Sequence, residues 1–221
     1  MLDRVTAPLV HFMERYYPDV FLFIIVITLV TFVGTWLVTG YQPREMLLSW
    51  GNSLSDILAF SMQMVTIVLV SHMLAHTDSV QALLGRIGAL PRTPLQAYAL
   101  VVFATGVICF ISWPLGLIGG GLLARKVGET AAERKLPIHY PLLVAGAFSG
   151  NLIWHMGYSA SAPLFVATAD NSMIDMLGGV IPITETVFST WNLVLALAVL
   201  LAISLLAGRL RPAADEVIEF I

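Results

Sequence analysis

From Val20 to Thr39 the chain runs without one charged side chain, and Val187 to Ala207 does the same. A helix needs about 20 apolar residues to cross a hydrocarbon core of roughly 30 Å. A third run, Ile57–Ala75, meets the same length and carries only His72 as an ionisable group. Such runs commit the chain to helices, because a backbone crossing lipid must satisfy its own hydrogen bonds. Composition agrees: 58% of the residues are hydrophobic and 11% charged, where soluble domains carry about 25% charged residues. The expected class is an all-α membrane protein.

Between these runs lie two longer apolar segments, Pro94–Ala124 and His139–Ala169. Each holds about 31 residues, and a straight helix of that length rises roughly 46 Å, more than the membrane core. Each also carries helix breakers near its middle: "SWPLGLIGGG" from Ser112 to Gly121, then Gly146, Gly150, Asn151, Gly157 and Pro163. Proline removes a backbone donor, and glycine weakens a helix interior.

Charge chooses between two paths for the first segment. If Pro94–Ala124 crosses fully, Arg125, Lys126, Arg134 and Lys135 share a side with Arg44, opposite Arg86 and Arg92. If it dips in and returns near Ser112–Gly116, every one of the 11 Lys and Arg except Arg44 lies on one side. The positive-inside rule favours the second path. The expected architecture is therefore about four transmembrane helices, a re-entrant hairpin (94–124) and a broken span (139–169). An amphipathic lead-in (1–19) precedes the membrane domain (20–208), and a cytoplasmic tail or truncated linker (209–221) follows it. Asn52, Ser53 and Ser55 are candidate caps for the second span.

Two consecutive broken segments are an arrangement of secondary transporters. A half-helix start exposes N–H groups and about half a positive charge, so it can hold an anion without a buried cation. No span here contains Lys or Arg. Pro114 can open a new half-helix at the first break, and Pro163 at the second. Ser112, Ser159 and Ser161 can donate to a carboxylate; each equally suits close helix packing. His155 can contact a ligand or carry a proton, unless a tyrosine or backbone group satisfies it. Asn151 and freed carbonyls can coordinate a cation.

Other residues read more plainly. His72 and His76 are expected at the membrane interface, with Trp50, Trp191 and Tyr140 in an aromatic belt. Met62, Met64 and Met73 are expected to pack. The single cysteine, Cys109, reads as a buried thiol and excludes an internal disulfide. No basic run supports nucleic-acid binding, and a net charge of −3 agrees. No metal or P-loop motif occurs, and no hydrolase constellation is evident around "WHMGYSAS". Neither an enzyme nor a cofactor is expected.

The chain resembles the bacterial short-chain fatty acid transporter family. The resemblance rests on "YPDVFLFIIVITLVTFVG", "WGNSLSDILAFSMQMVTIVLVSHMLA", "RTPLQAYALVVFATGVICFISWPLGLIGGGLLARKV", "YPLLVAGAFSGNLIWHMGYSASAPLFVAT" and "GGVIPITETVF" in that order, over most of Tyr17–Phe188. It implies a multi-span carrier of the bacterial inner membrane for small monocarboxylates such as acetoacetate or butyrate, driven by H+ or Na+. By analogy with inverted-repeat ion transporters, it implies that Ser112–Gly116, including Trp113, and Gly157–Pro163 form half of a substrate site.

Two departures qualify the resemblance. Family members are about twice as long, so this chain matches the amino-terminal half, and a second half is the expected partner. An oligomer is conceivable, but two identical chains of one topology cannot make an inverted pair. A channel-like or non-transporting subunit, or a nonfunctional remnant, are the alternatives; spans one and five lack the polar face a channel needs. Ala160 also stands where the family usually has glycine.

Overall fold

A computed structural model of the chain describes residues 3–16, 19–56, 58–169, 173–210, 217–218 and 220. The described residues form helices and turns, without strands. They fall into two compact units, residues 1–63 and 64–221.

The first unit holds α1 (Asp3–Tyr16), α2 (Val20–Thr39), α3 (Pro43–Asp56) and the start of α4 (Leu58–Ala75). Helix α2 begins where Asp19 accepts a hydrogen bond from the Phe21 amide (2.8 Å). It stops at Gly40, whose positive φ of 68° turns the chain out of the helix. Asn52 and Ser53 lie inside α3 rather than capping the next span, and Ser53 donates to the Ser49 carbonyl instead. The expected cap at Ser55 and span start at Ile57 lie outside what is described of those residues. Trp50, Glu45 and Ser49 of α3 face Thr28, Thr31 and Thr35 of α2 across an open groove of about 820 Å³. Met62, by contrast, is 56% exposed.

In the second unit α4 ends at Ala75 and bends by 67° into α5 (Asp78–Gly88). Gln81 donates to the freed Ala75 carbonyl (2.8 Å). Exposed Met73 also falls outside the core. His72 and His76 are exposed and stack at 4.3 Å.

Helix α6 (Pro94–Ile111) starts on Thr93, whose hydroxyl accepts from the Gln96 amide. After Ser112 the chain reverses into α7 (Trp113–Glu133). Glycines set the antiparallel register. A Cβ at Gly116 would strike the Cys109 side chain and lie 2.7 Å from its amide nitrogen; one at Gly120 would lie 2.6 Å from the Thr105 methyl. Pairs 116 with 109 and 120 with 105 fix a tight hairpin. Its open end is held by Arg134, which donates to the carbonyls of Ala89 and Pro91, both at 2.9 Å. Arg125 and Lys126 bind Glu129 at 2.9 and 3.1 Å. The Lys126 hydrogen bond, with that of Arg125, keeps this carboxyl below its ordinary range.

Next come α8 (Tyr140–Ser149), a 3-10 segment (Gly150–Met156), α9 (Ser161–Val166), α10 (Ile174–Leu177) and α11 (Thr190–Arg209). At Gly150 a Cβ would sit 2.8 Å from both the Gly106 nitrogen and the Val102 oxygen. That contact lets the 3-10 segment cross α6 backbone to backbone. The core is made by Val101, Val102, Leu123, Ala124, Val127 and Leu143, all 0–1% exposed. Past α11, Ile218 donates to His139 Nδ1 and accepts from the Tyr140 amide, and the Phe220 ring meets that of Tyr140 at 4.9 Å. Tyr140 therefore packs against the described tail residues Ile218 and Phe220.

Three helices, α2, α6 and α11, are long and apolar enough to cross a membrane, and a fourth span results if the bent pair α4–α5 counts as one, among the described residues. The chain is an all-α membrane protein.

Candidate functional site

Both discontinuities expected from the sequence exist, and they touch. The first is Ser112, extended at φ −149° and ψ 112°, which ends α6 and opens α7. The second is Gly157–Ala160, between the 3-10 segment and α9.

The contact follows from what the first break leaves unpaired. In a continuous helix the Phe110 carbonyl would accept from residue 114, which is Pro114 and has no N–H. The Tyr158 amide takes that carbonyl instead, at 2.7 Å. The break likewise frees the Trp113 amide from the Cys109 carbonyl. It donates to the Ser159 hydroxyl oxygen at 3.0 Å. Gly157 permits this approach: its Cβ would strike the Phe110 carbonyl oxygen and lie 2.7 Å from the Phe110 Cα.

The first turn of α7 is thus partly satisfied. Trp113 is capped by Ser159, Pro114 has no donor, and the Gly116 amide bonds the Ser112 carbonyl at 2.9 Å. The Leu115 N–H remains as the free donor of that turn among the described residues. Ser159 uses its oxygen as acceptor, so its hydroxyl proton is still available to a ligand. The Ser112 hydroxyl caps no helix amide and is half-buried.

Aromatic rings flank the junction. Trp113 meets Trp154 at 5.7 Å, and Trp154 stacks on His155 at 3.7 Å. The imidazole is exposed and makes no hydrogen bond among the described residues. The rings of Tyr158 and Phe188 lie 6.3 Å apart.

The structure therefore brings Trp113, Gly157 and Ser159 together, with Ser112 adjacent and His155 joined through Trp154. Gly116 and Asn151 belong to a neighbouring cluster. Gly116 abuts Cys109, and the Cys109 thiol faces Asn151 Oδ1 at 3.5 Å. Ser161 is exposed at the start of α9, with no hydrogen bond from its hydroxyl among the described residues. The half-helix expected from Pro163 is only 6 residues long, so α7, with 21 residues, supplies the stronger helix dipole. Ala160 is buried at 0% exposure.

Asn192 is a supporting residue absent from the sequence expectations. Its Nδ2 donates to the carbonyls of Met156 and Val187, both at 2.8 Å. It thereby ties the end of the 3-10 segment, one residue before Gly157, to α11. The signal was visible: an amide side chain inside an apolar span is costly unless it has partners.

Known proteins supply independent information. A family model described as "Short chain fatty acid transporter" matches residues 1–220. An Escherichia coli (strain K12) protein named "Putative short-chain fatty acid transporter" is 34% identical over 99% of this chain and 49% of its own length. A Haemophilus influenzae protein with the same name is 31% identical over 98% of this chain and 49% of its own. The chain thus spans about half the length of the curated relatives it matches. No solved structure matches it.

Proposed function

The chain belongs to the short-chain fatty acid transporter family, a family of transporters rather than enzymes, and from that premise we propose that it forms one half of a secondary carrier for small monocarboxylates. Acetoacetate and butyrate are representative substrates, and an H+ or Na+ gradient across the bacterial inner membrane drives their movement. The observation that supports this reading best is the clasp of two helix breaks at the start of α7. There a carboxylate meets the Leu115 N–H, the helix dipole, and the hydroxyls of Ser112, Ser159 and Ser161. His155 lies within the same aromatic cluster and adds a further donor. Asn151, one layer away, is the candidate cation ligand.

Hairpin depth accords with a site inside the membrane. The apolar part of α7, Trp113–Ala124, holds about 12 residues and rises roughly 18 Å before Arg125 and Lys126. Measured along α7 the tip lies just past the middle of a core roughly 30 Å thick, and measured along α6, whose 18 residues rise roughly 27 Å, it lies nearer the far side. In this reading the hairpin enters and leaves from the cytoplasmic face, a second transporter half supplies the rest of the site, and the relatives' double length agrees. Reconstituted with that half into proteoliposomes, the chain takes up labelled butyrate when an inward H+ or Na+ gradient is imposed, and unlabelled acetoacetate competes. Uptake that neither gradient stimulates and no carboxylate inhibits rules the proposal out.

A further inference from the structure

At the open end of the α6–α7 hairpin lies a cleft of about 390 Å³ lined by Ala89, Leu90, Arg92, Arg134 and Leu136. We propose that it is a binding site for the phosphate of an anionic phospholipid.

The charges around it are unequal in their partners. Arg125 and Lys126 share the Glu129 carboxylate, which offsets one of their two charges. Neither Arg92 nor Arg134 has a carboxylate within ion-pair distance among the described residues. Arg134 spends one nitrogen, Nη1, on the Ala89 and Pro91 carbonyls, which fixes its guanidinium at the cleft and leaves other N–H groups outward. The Arg92 side chain makes no hydrogen bond among the described residues; its backbone amide alone bonds Gln96. Two guanidinium groups lining one cleft, one of them anchored, suit a phosphate, which accepts paired N–H donors in their fork geometry.

The backbone here ends α7 in a left-handed cap. Lys135 adopts a positive φ of 56° without being glycine, an arrangement that costs about 1–2 kcal/mol. The turn it makes returns the Leu136 amide to the Ala131 carbonyl (2.9 Å). Arg134 and Leu136 thereby reach the same cleft from either side of the strained residue. Leu90 stands 64% exposed at its rim, and the apolar helix α6 starts at Pro94, within a turn of Arg92. Apolar rim and paired cations together match a headgroup whose acyl chains continue into the bilayer, rather than a soluble anion. Basic pockets beside membrane helices commonly hold such headgroups.

The test uses the full chain, purified in a neutral detergent and titrated with phosphatidylglycerol while its thermal unfolding is followed. Phosphatidylglycerol raises Tm; phosphatidylcholine and inorganic phosphate at the same concentration do not. Arg92→Gln, which breaks no internal bond, needs about fivefold more phosphatidylglycerol for the half-maximal rise, as expected for one interfacial arginine. Arg86→Gln, an exposed arginine outside the cleft, leaves the titration unchanged. The proposal is overturned if Arg92→Gln titrates like the unaltered chain, if Arg86→Gln weakens binding as much, or if phosphatidylcholine has an equal effect. Stabilisation by inorganic phosphate alone overturns it in favour of a soluble-anion site.

Discussion

The backbone amide of Trp113 donates to the hydroxyl oxygen of Ser159, 3.0 Å away and 46 residues later in the chain. One serine thus caps a helix to which it does not belong. Ser159→Ala leaves that amide unpaired and is expected to cost about 1 kcal/mol of stability, as lost N-caps do. Ser159→Thr keeps the oxygen and restores most of it. Denaturant unfolding of both variants in detergent measures the difference, and equal stability of the two would show that the cap contributes nothing.

Gly157 sets how closely the breaks approach. A methyl group there meets the Phe110 carbonyl, so Gly157→Ala is expected to destabilise by about 1–3 kcal/mol through overpacking. Gly121 is the control: its Cβ would meet nothing within 4 Å, and alanine there is expected to stabilise by about 1 kcal/mol. Thermal unfolding of the pair separates crowding at the junction from a general intolerance of alanine in these helices.

Asn192 holds the second break from α11. Asn192→Leu removes both hydrogen bonds and leaves the Met156 and Val187 carbonyls without that donor. The expected loss is about 1–3 kcal/mol. Backbone hydrogen exchange should quicken around residues 154–160 before it quickens in α6. A uniform rise across both regions would contradict a local role.

Hairpin topology can be read by labelling. Cysteines replacing Arg92 and Lys126 are expected to react with a membrane-impermeant thiol reagent from the same face. Cys109 is buried at 0% exposure and should stay silent. Reaction from opposite faces would show that 94–124 crosses the membrane once.

Much of this arrangement was legible in the sequence where one signal dominated. The charge-free run Val20–Thr39 became a helix with those limits, because a charge-free run of that length has no stable alternative to helix in lipid. The breaks at Ser112 and Gly157 were legible because Pro114 and the glycines withdraw donors that a helix needs. Helices α3 and α5 were missed. Both are short and polar on one side, and a search for long apolar runs passes over them; Leu84, buried at 3% exposure, marks the inner face of α5. The span expected from Val187 starts later as helix, since Ser189 caps Thr190–Arg209 through the Asn192 amide. Pairing of Ser159 with Trp113 could not be read from either segment alone, because it depends on the register that Gly116 and Gly120 impose on the hairpin.

Occupancy of the junction by a carboxylate is tested most directly by ligand protection. In a complete carrier bearing Ser161→Cys, the rate of modification by a small charged thiol reagent is measured with and without ligand. Butyrate is expected to slow the reaction several-fold, while uncharged butyramide at the same concentration leaves it unchanged. Equal rates in the presence of butyrate, butyramide and neither would contradict a carboxylate site where the two breaks meet.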